Sequence, residues 1–237
     1  MNWRKYELAI DQTHFISEGR MLFGKRFIEV LKFHEPGLAS VKDDSGAYHI
    51  TTDGLPLYTE RYSRTFGYYF NRAAVDSNGD WSHIDELGKP AYAQTFDWVG
   101  NFQQEVCTVR DREFEYFHIN LKGESLYEER YAYAGDFKDG TCCVKVKGSG
   151  FRHIDSKGAF IHDGEFLDLG VFHKGFACAR DEHGWFHIDI AGKQLYQERY
   201  QYVEPFYNGQ ALVMTESRRH AVLMENSNEL RQLGLNP

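Results

Sequence analysis

Disulfide scaffolds are excluded first. The chain has four cysteines in 237 residues, none in a Cys-x-x-Cys pair, and its first residues, MNWRKYELAIDQ, carry no signal-peptide core. A reduced, cytoplasmic setting is the expectation. Proline is scarce, at five, and no run approaches the eighteen apolar residues that a membrane-spanning helix needs. Basic residues are outnumbered, 27 against 35, and the net charge of −8 disfavours a phosphate-backbone partner, so no nucleic acid and no membrane is expected. Apolar residues reach 42%, enough for a core, which excludes a disordered chain. Helical periodicity is not sustained anywhere except for a possible helical turn in the tail from Asn226 to Pro237.

What is abundant is aromatic. Phe, Tyr and Trp make up 16% of the chain, beside 22 glycines, a composition of half-buried strands and tight turns. The dipeptide His-Ile recurs at His49, His83, His118, His153 and His187, with spacings of 34, 35, 35 and 34 residues. Extending that period reaches Ile16 on one side and Val222 on the other, so seven markers cover the chain. Other columns keep register with the Ile: glycine four residues on (Gly54, Gly88, Gly123, Gly158, Gly192), and a ring eight on (Tyr58, Tyr92, Tyr127, His162, Tyr196). Further rings follow twelve on (Tyr62, Phe96, Tyr131, Phe166, Tyr200) and eighteen on (Tyr68, Phe102, Phe137, Phe172, Phe206).

A unit of 34 residues with three or four short strands cannot bury both faces alone, so units must stack. The predicted fold class is all-β, tandem 34–35-residue repeats forming a six- or seven-bladed β-propeller, with an open β-solenoid as the alternative. The whole chain, 1–237, reads as one repeat domain. Its units lie near 1–26 (partial), 27–60, 61–94, 95–129, 130–164, 165–198 and 199–232, before a 233–237 tail. Because Met1 begins partway into a unit, the chain is expected to be one domain of a longer protein.

The pattern Gly184-Trp185-Phe186-His187-Ile188-Asp189-x-x-Gly192-Lys193, then Phe206-x-x-Gly209-x-Ala211-x-Val213, resembles the WG repeat of bacterial proteins over roughly residues 14 to 225. The chain departs from that pattern where Ser82 or Phe186 stands after the Trp and where His precedes the Ile. The resemblance implies a non-enzymatic β-repeat, free-standing or attached to a catalytic partner domain, and brings no catalytic residues.

Repeated histidines invite a metal, but Zn–N bonds of ~2.0–2.1 Å need ligands side by side. Equivalent positions on stacked sheets lie roughly 10 Å apart. Alternation instead places His83 on the face of Asp85, His118 with Asn120, His153 with Asp155 and His187 with Asp189. The expectation is an inter-blade staple, an imidazole held by that carboxylate or amide and packed under Trp81 or Trp185; His49 belongs to the same column. Arg61, Arg130 and Arg199, each after a Glu, are expected to reach a neighbouring unit. The cysteines read as core.

Scaffolds carry function where the repeat breaks. The fifth unit departs most, with His162 in the Tyr column, Glu165 where Arg is usual, and Asp168, His173 and Lys174 nearby; the third unit adds Trp98. These six are the candidate ligand or partner contacts, with local repacking as the plainer explanation. No catalytic triad, P-loop or metal motif appears, and no cofactor is expected. Three functions remain open: an interaction module binding a protein or serving a fused neighbouring domain, a small-ligand receptor (for example for a carbohydrate), and, last, an enzyme built on the fifth-unit cluster.

Overall fold

In the computed structural model, residues 2–224 and 230–232 are described. Their strands form seven antiparallel sheets, six of three strands and one of four, which succeed one another along the chain. The fold class is the expected one, an all-β tandem array of the β-propeller class with seven blades. Blade 1 comprises Glu7–Leu8, Phe15–Ser17 and Arg20–Met21. Blade 2 comprises Glu29–Val30, Ala39–Asp43 and Gly46–Ile50, and blade 3 Arg64–Tyr69, Arg72–Ser77 and Asp80–Ile84. Blade 4 has Trp98–Val99, Val106–Arg110 and Tyr116–Asn120. Blade 5 has Tyr133–Ala134, Thr141–Lys145 and Phe151–Asp155; blade 6 has Asp168–Leu169, Phe176–Asp181 and Gly184–Asp189. Blade 7 has Tyr202–Val203, Gln210–Met214, His220–Met224 and Leu230–Gln232. The chain divides into two compact units, Met1–Ser125 with blades 1 to 4 and Leu126–Pro237 with blades 5 to 7.

Each blade is two hairpins built by local chemistry. In blades 3 to 7 the first hairpin turns through two residues, and the left-handed backbone at Gln104, Glu105, Asp139, Gly140, Lys174, Gly175, Asn208 and Gly209 matches the strand twist of such turns. After the third strand comes a turn closed by the column glycine. Gly88 N donates to the Asp85 carbonyl at 2.9 Å, with φ +75°. The twelve-on ring then bridges back to the third strand, as Tyr62 to Ala47, Phe96 to Trp81, Phe166 to Phe151 and Tyr200 to Trp185. That ring is where one unit ends and the next begins.

In blades 2 to 7 the core is one small residue facing one aliphatic. Ala39 lies opposite Ile50, Ala73 opposite Ile84, Cys107 opposite Ile119, Cys142 opposite Ile154 and Ala177 opposite Ile188, all nearly inaccessible. Two markers need correction. In blade 7 the residue opposite Ala211 is Leu223, 1% exposed, so Val222 takes the histidine's place. In blade 1 the buried residue is Phe15, also 1% exposed, which puts His14, not Phe15, in the histidine column and Ile16 outside the core. The helical turn expected in the tail is corrected at residues 230–232. Leu230–Gln232 pairs with the third strand of blade 7, and the rest of the tail lies outside the described residues.

Candidate interaction surface

The histidine column is the most regular polar feature. His49, His83, His118, His153 and His187 are each at most 1% exposed. A buried imidazole needs both nitrogens satisfied. His49 Nε2–H donates to the Phe66 carbonyl of blade 3 at 2.7 Å, and Tyr58 OH donates to His49 Nδ1 at 2.6 Å. The same pair of bonds joins His83 to Gly100 O and Tyr92, and His187 to Glu204 O and Tyr196. Each carbonyl belongs to the following blade, so the staple is real. Its partners are not the expected ones. Asp85, Asp155 and Asp189 turn away to accept the N–H groups two and four residues on, capping the turn before the glycine; Asn120 does likewise. Trp81 and Trp185 do not cover the imidazoles either. The rings against His83 are Tyr92 and Phe102, and those against His187 are Tyr196 and Phe206. Alternation gave the right face, but the aspartate lies at the strand end, where free turn amides compete for it.

The tyrosine continues the staple. A Cβ placed on Gly88 would come within 2.2 Å of the Tyr58 ring, and Gly123, Gly158 and Gly192 receive Tyr92, Tyr127 and His162 in the same way. The glycine therefore serves two needs, a left-handed turn and a bare face for the ring from the preceding unit. Burial holds His49, His83 and His153 down to about 4, lowers His187 as well, keeps all four neutral, and raises Tyr58, Tyr92 and Tyr196, which bond His49, His83 and His187.

The six fifth- and third-unit candidates do not form one cluster. His162 is interior, its Nε2–H donating to His153 Nδ1 at 2.9 Å in place of a tyrosine hydroxyl; its own Nδ1 is buried without a partner. Glu165 is exposed and accepts the Gly150 N–H. Asp168 opens blade 6 opposite Arg180 and accepts the Leu169 N–H. Trp98 belongs to blade 4, paired with Arg110 and tilted against Tyr116. A fifth-unit active site is not assembled. Arg61, Arg130 and Arg199 each hold backbone carbonyls of the preceding connection, and Arg61 and Arg199 lie 3.8 Å and 3.7 Å over Tyr48 and Phe186 of the unit before, as expected. All four cysteines are buried and none is in a disulfide, with Cys143 and Cys178 pushed up to about 12 by burial, so these thiols are inert packing.

His173 and Lys174 are different. They sit at the tip of the first hairpin of blade 6, and the tips are where equivalent side chains of successive blades meet. Lys138 Nζ of blade 5 is 3.4 Å from His173 Nδ1, and Lys174 Nζ lies 5.7 Å over the Tyr207 ring of blade 7. The separation of about 10 Å expected between equivalent positions holds for sheet interiors and is lost where side chains lean along the tips. Lys138, Val171, His173, Tyr202, Glu204 and Tyr207 line a shallow groove of about 490 Å³ in the second unit, and Lys174 adjoins it through the Tyr207 ring. Tyr207 is 69% exposed, Tyr202 46% and Val171 37%. Tyr202 and Tyr207 were missed in the sequence because each lies beside a regular ring column. Among the described residues, no three His, Cys, Asp or Glu side chains gather as a metal site.

No family model matches the chain, and no curated protein does. Among solved structures it is similar to the computationally designed protein Ika8, at 15% identity over 95% of this chain and 81% of that one, with a TM-score of 0.49. BamB from Moraxella catarrhalis is similar at 8% identity over 92% and 75%, TM-score 0.46, and Sqt1 from Saccharomyces cerevisiae at 10% over 92% and 74%, TM-score 0.45. At these values the similarity says nothing of chemistry.

Proposed function

We propose that this chain is a non-enzymatic repeat scaffold that binds a protein, free or fused to a neighbouring domain, through the hairpin tips of blades 5 to 7. The observation that carries the reading is the contiguous exposure of Val171, Tyr202 and Tyr207 beside Lys138, His173 and Lys174. Exposed tyrosines are enriched at interface hot spots, and an exposed apolar patch rimmed by polar residues marks an interaction site. The histidines of the repeat are consumed as neutral staples and the thiols as core, which leaves them unavailable for catalysis. Four buried thiols outside any disulfide support a reducing compartment. Two departures from the WG pattern, Phe186 and the histidine column, are buried, which supports kinship with that repeat.

A photo-crosslinking residue at position 207 tests the reading, with one at exposed Leu87 as control. A defined partner is expected at 207 and not at 87, and it is expected to disappear when Tyr202→Ala and Lys174→Ala are combined. Identical capture at both positions would refute the surface.

A further inference from the structure

The first unit has its own groove at the hairpin-tip end, of about 320 Å³, and here the repeat is broken several times over. Gly67 follows the carbonyl that His49 bonds, and the repeat period places Lys32, Asn101, Asp136, Val171 and Pro205 in the same column. Only Gly67 lacks a side chain there, and the His34 ring fills the space. A Cβ on Gly67 would lie 2.5 Å from His34 Nε2. The Tyr69 ring, 4.9 Å from His34, closes the other side. The first strand of blade 3 also carries a register shift between Thr65 and Tyr68, the kind of irregularity that re-aims side chains beside binding sites.

Charge in this groove is one-sided. Lys32 is exposed and makes no ion pair with any described residue, and no acidic residue lines the groove. Glu35, next to His34 in sequence, is tied to Arg4. The remaining polar groups are the amides of Gln12 and Asn101, which donate hydrogen bonds, and the Tyr69 hydroxyl, over an apolar floor of Leu8, Leu31 and Phe66. In a chain of net charge −8, a concave surface lined by a lone lysine, two side-chain amides and a phenol, with no carboxylate, favours negative charge.

We infer that the groove between Lys32, His34, Tyr69 and Asn101 binds the oxyanion of a small molecule, a phosphate or a carboxylate group, with the molecule's apolar part on Phe66. Burial and the Lys32 charge together hold His34 below its ordinary value. A bound anion offsets the lysine and draws His34 back up. The groups bearing on His34 are Lys32, the Tyr68 backbone and, on the interior side, His49.

The full chain is titrated with orthophosphate and, separately, with succinate, at constant ionic strength set by chloride, while the His34 ring proton resonance is followed by NMR. His49, buried behind it, reports folding. The expected result is a saturable shift with one probe and a His34 midpoint that rises on binding. At least a tenfold loss of affinity is expected in Lys32→Gln, whose exposed side chain leaves the fold intact, and a comparable loss in Gly67→Ala. Saturation by orthophosphate alone assigns a phosphate ligand, and by succinate alone a carboxylate. Absence of a saturable shift with both probes, or equal affinity in Lys32→Gln, overturns the site.

Discussion

The neutral histidine staples make acid sensitivity a quantitative expectation. His49, His83 and His153 are held at about 4 in the folded chain, against an ordinary value of 6.5, and burial also lowers His34, His162 and His187. Because the folded values are depressed, the unfolded chain binds more protons between pH 6.5 and 4. Stability is therefore whole above about pH 7 and falls as the pH drops through that window. Each of the three histidines loses about 2 kcal/mol between pH 7 and pH 5, so together they remove on the order of 5 kcal/mol. That approaches the whole stability of an ordinary domain, about 5–15 kcal/mol. Near pH 5.2 the slope is about 3–4 kcal/mol per pH unit, equivalent to an uptake of about 2.7 protons on unfolding. Urea unfolding followed by the fluorescence of the four tryptophans, repeated from pH 7.5 to 4.8, measures it directly. His49→Gln should reduce the uptake by about one proton. The carboxylates with lowered values, such as Asp181 and Asp43, lose their contribution only below their ordinary 3.8 and leave this window clean. A stability change below about 1 kcal/mol between pH 7 and 5 would refute the neutral staple.

The remaining expectations concern the staple's parts. His49→Ala leaves the Tyr58 hydroxyl and the Phe66 carbonyl unpaired and should lower stability by about 1–3 kcal/mol, unchanged by a chelator; the cycle with Tyr58→Phe should show coupling above about 0.5 kcal/mol by chemical denaturation. His162→Tyr places a hydroxyl on His153 Nδ1 and removes the orphaned nitrogen, so it should raise stability by about 1 kcal/mol, and more at pH 5 than at pH 7. Gly88→Ala meets both a left-handed backbone and the Tyr58 ring at 2.2 Å, and a thermal melt should show a loss of about 2 kcal/mol or more.

The repeat, its period and its all-β class were legible in the residues because a strand's faces alternate locally and a unit too small to bury itself must stack. The column glycines were legible as turns for the same local reason. Partner choice was not. His83 and Asp85 share a face in the sequence, yet the imidazole bonds Tyr92 and the Gly100 carbonyl, because a carboxylate at a strand end meets free turn amides before it meets a ring. Period arithmetic also could not separate His14-Phe15 from Ile16, since units are either 34 or 35 residues long and one residue of slip moves a side chain to the other face. His162, Glu165, Asp168, His173 and Lys174 are neighbours in the chain, but a strand and its hairpin carry them from the core to the tip. Only the tertiary structure brings Lys138 to His173, and His34 over Gly67, because those meetings depend on how side chains of successive blades lean together at the hairpin tips. Those residues stand 35 and 33 apart in the sequence, a separation that local propensity does not encode.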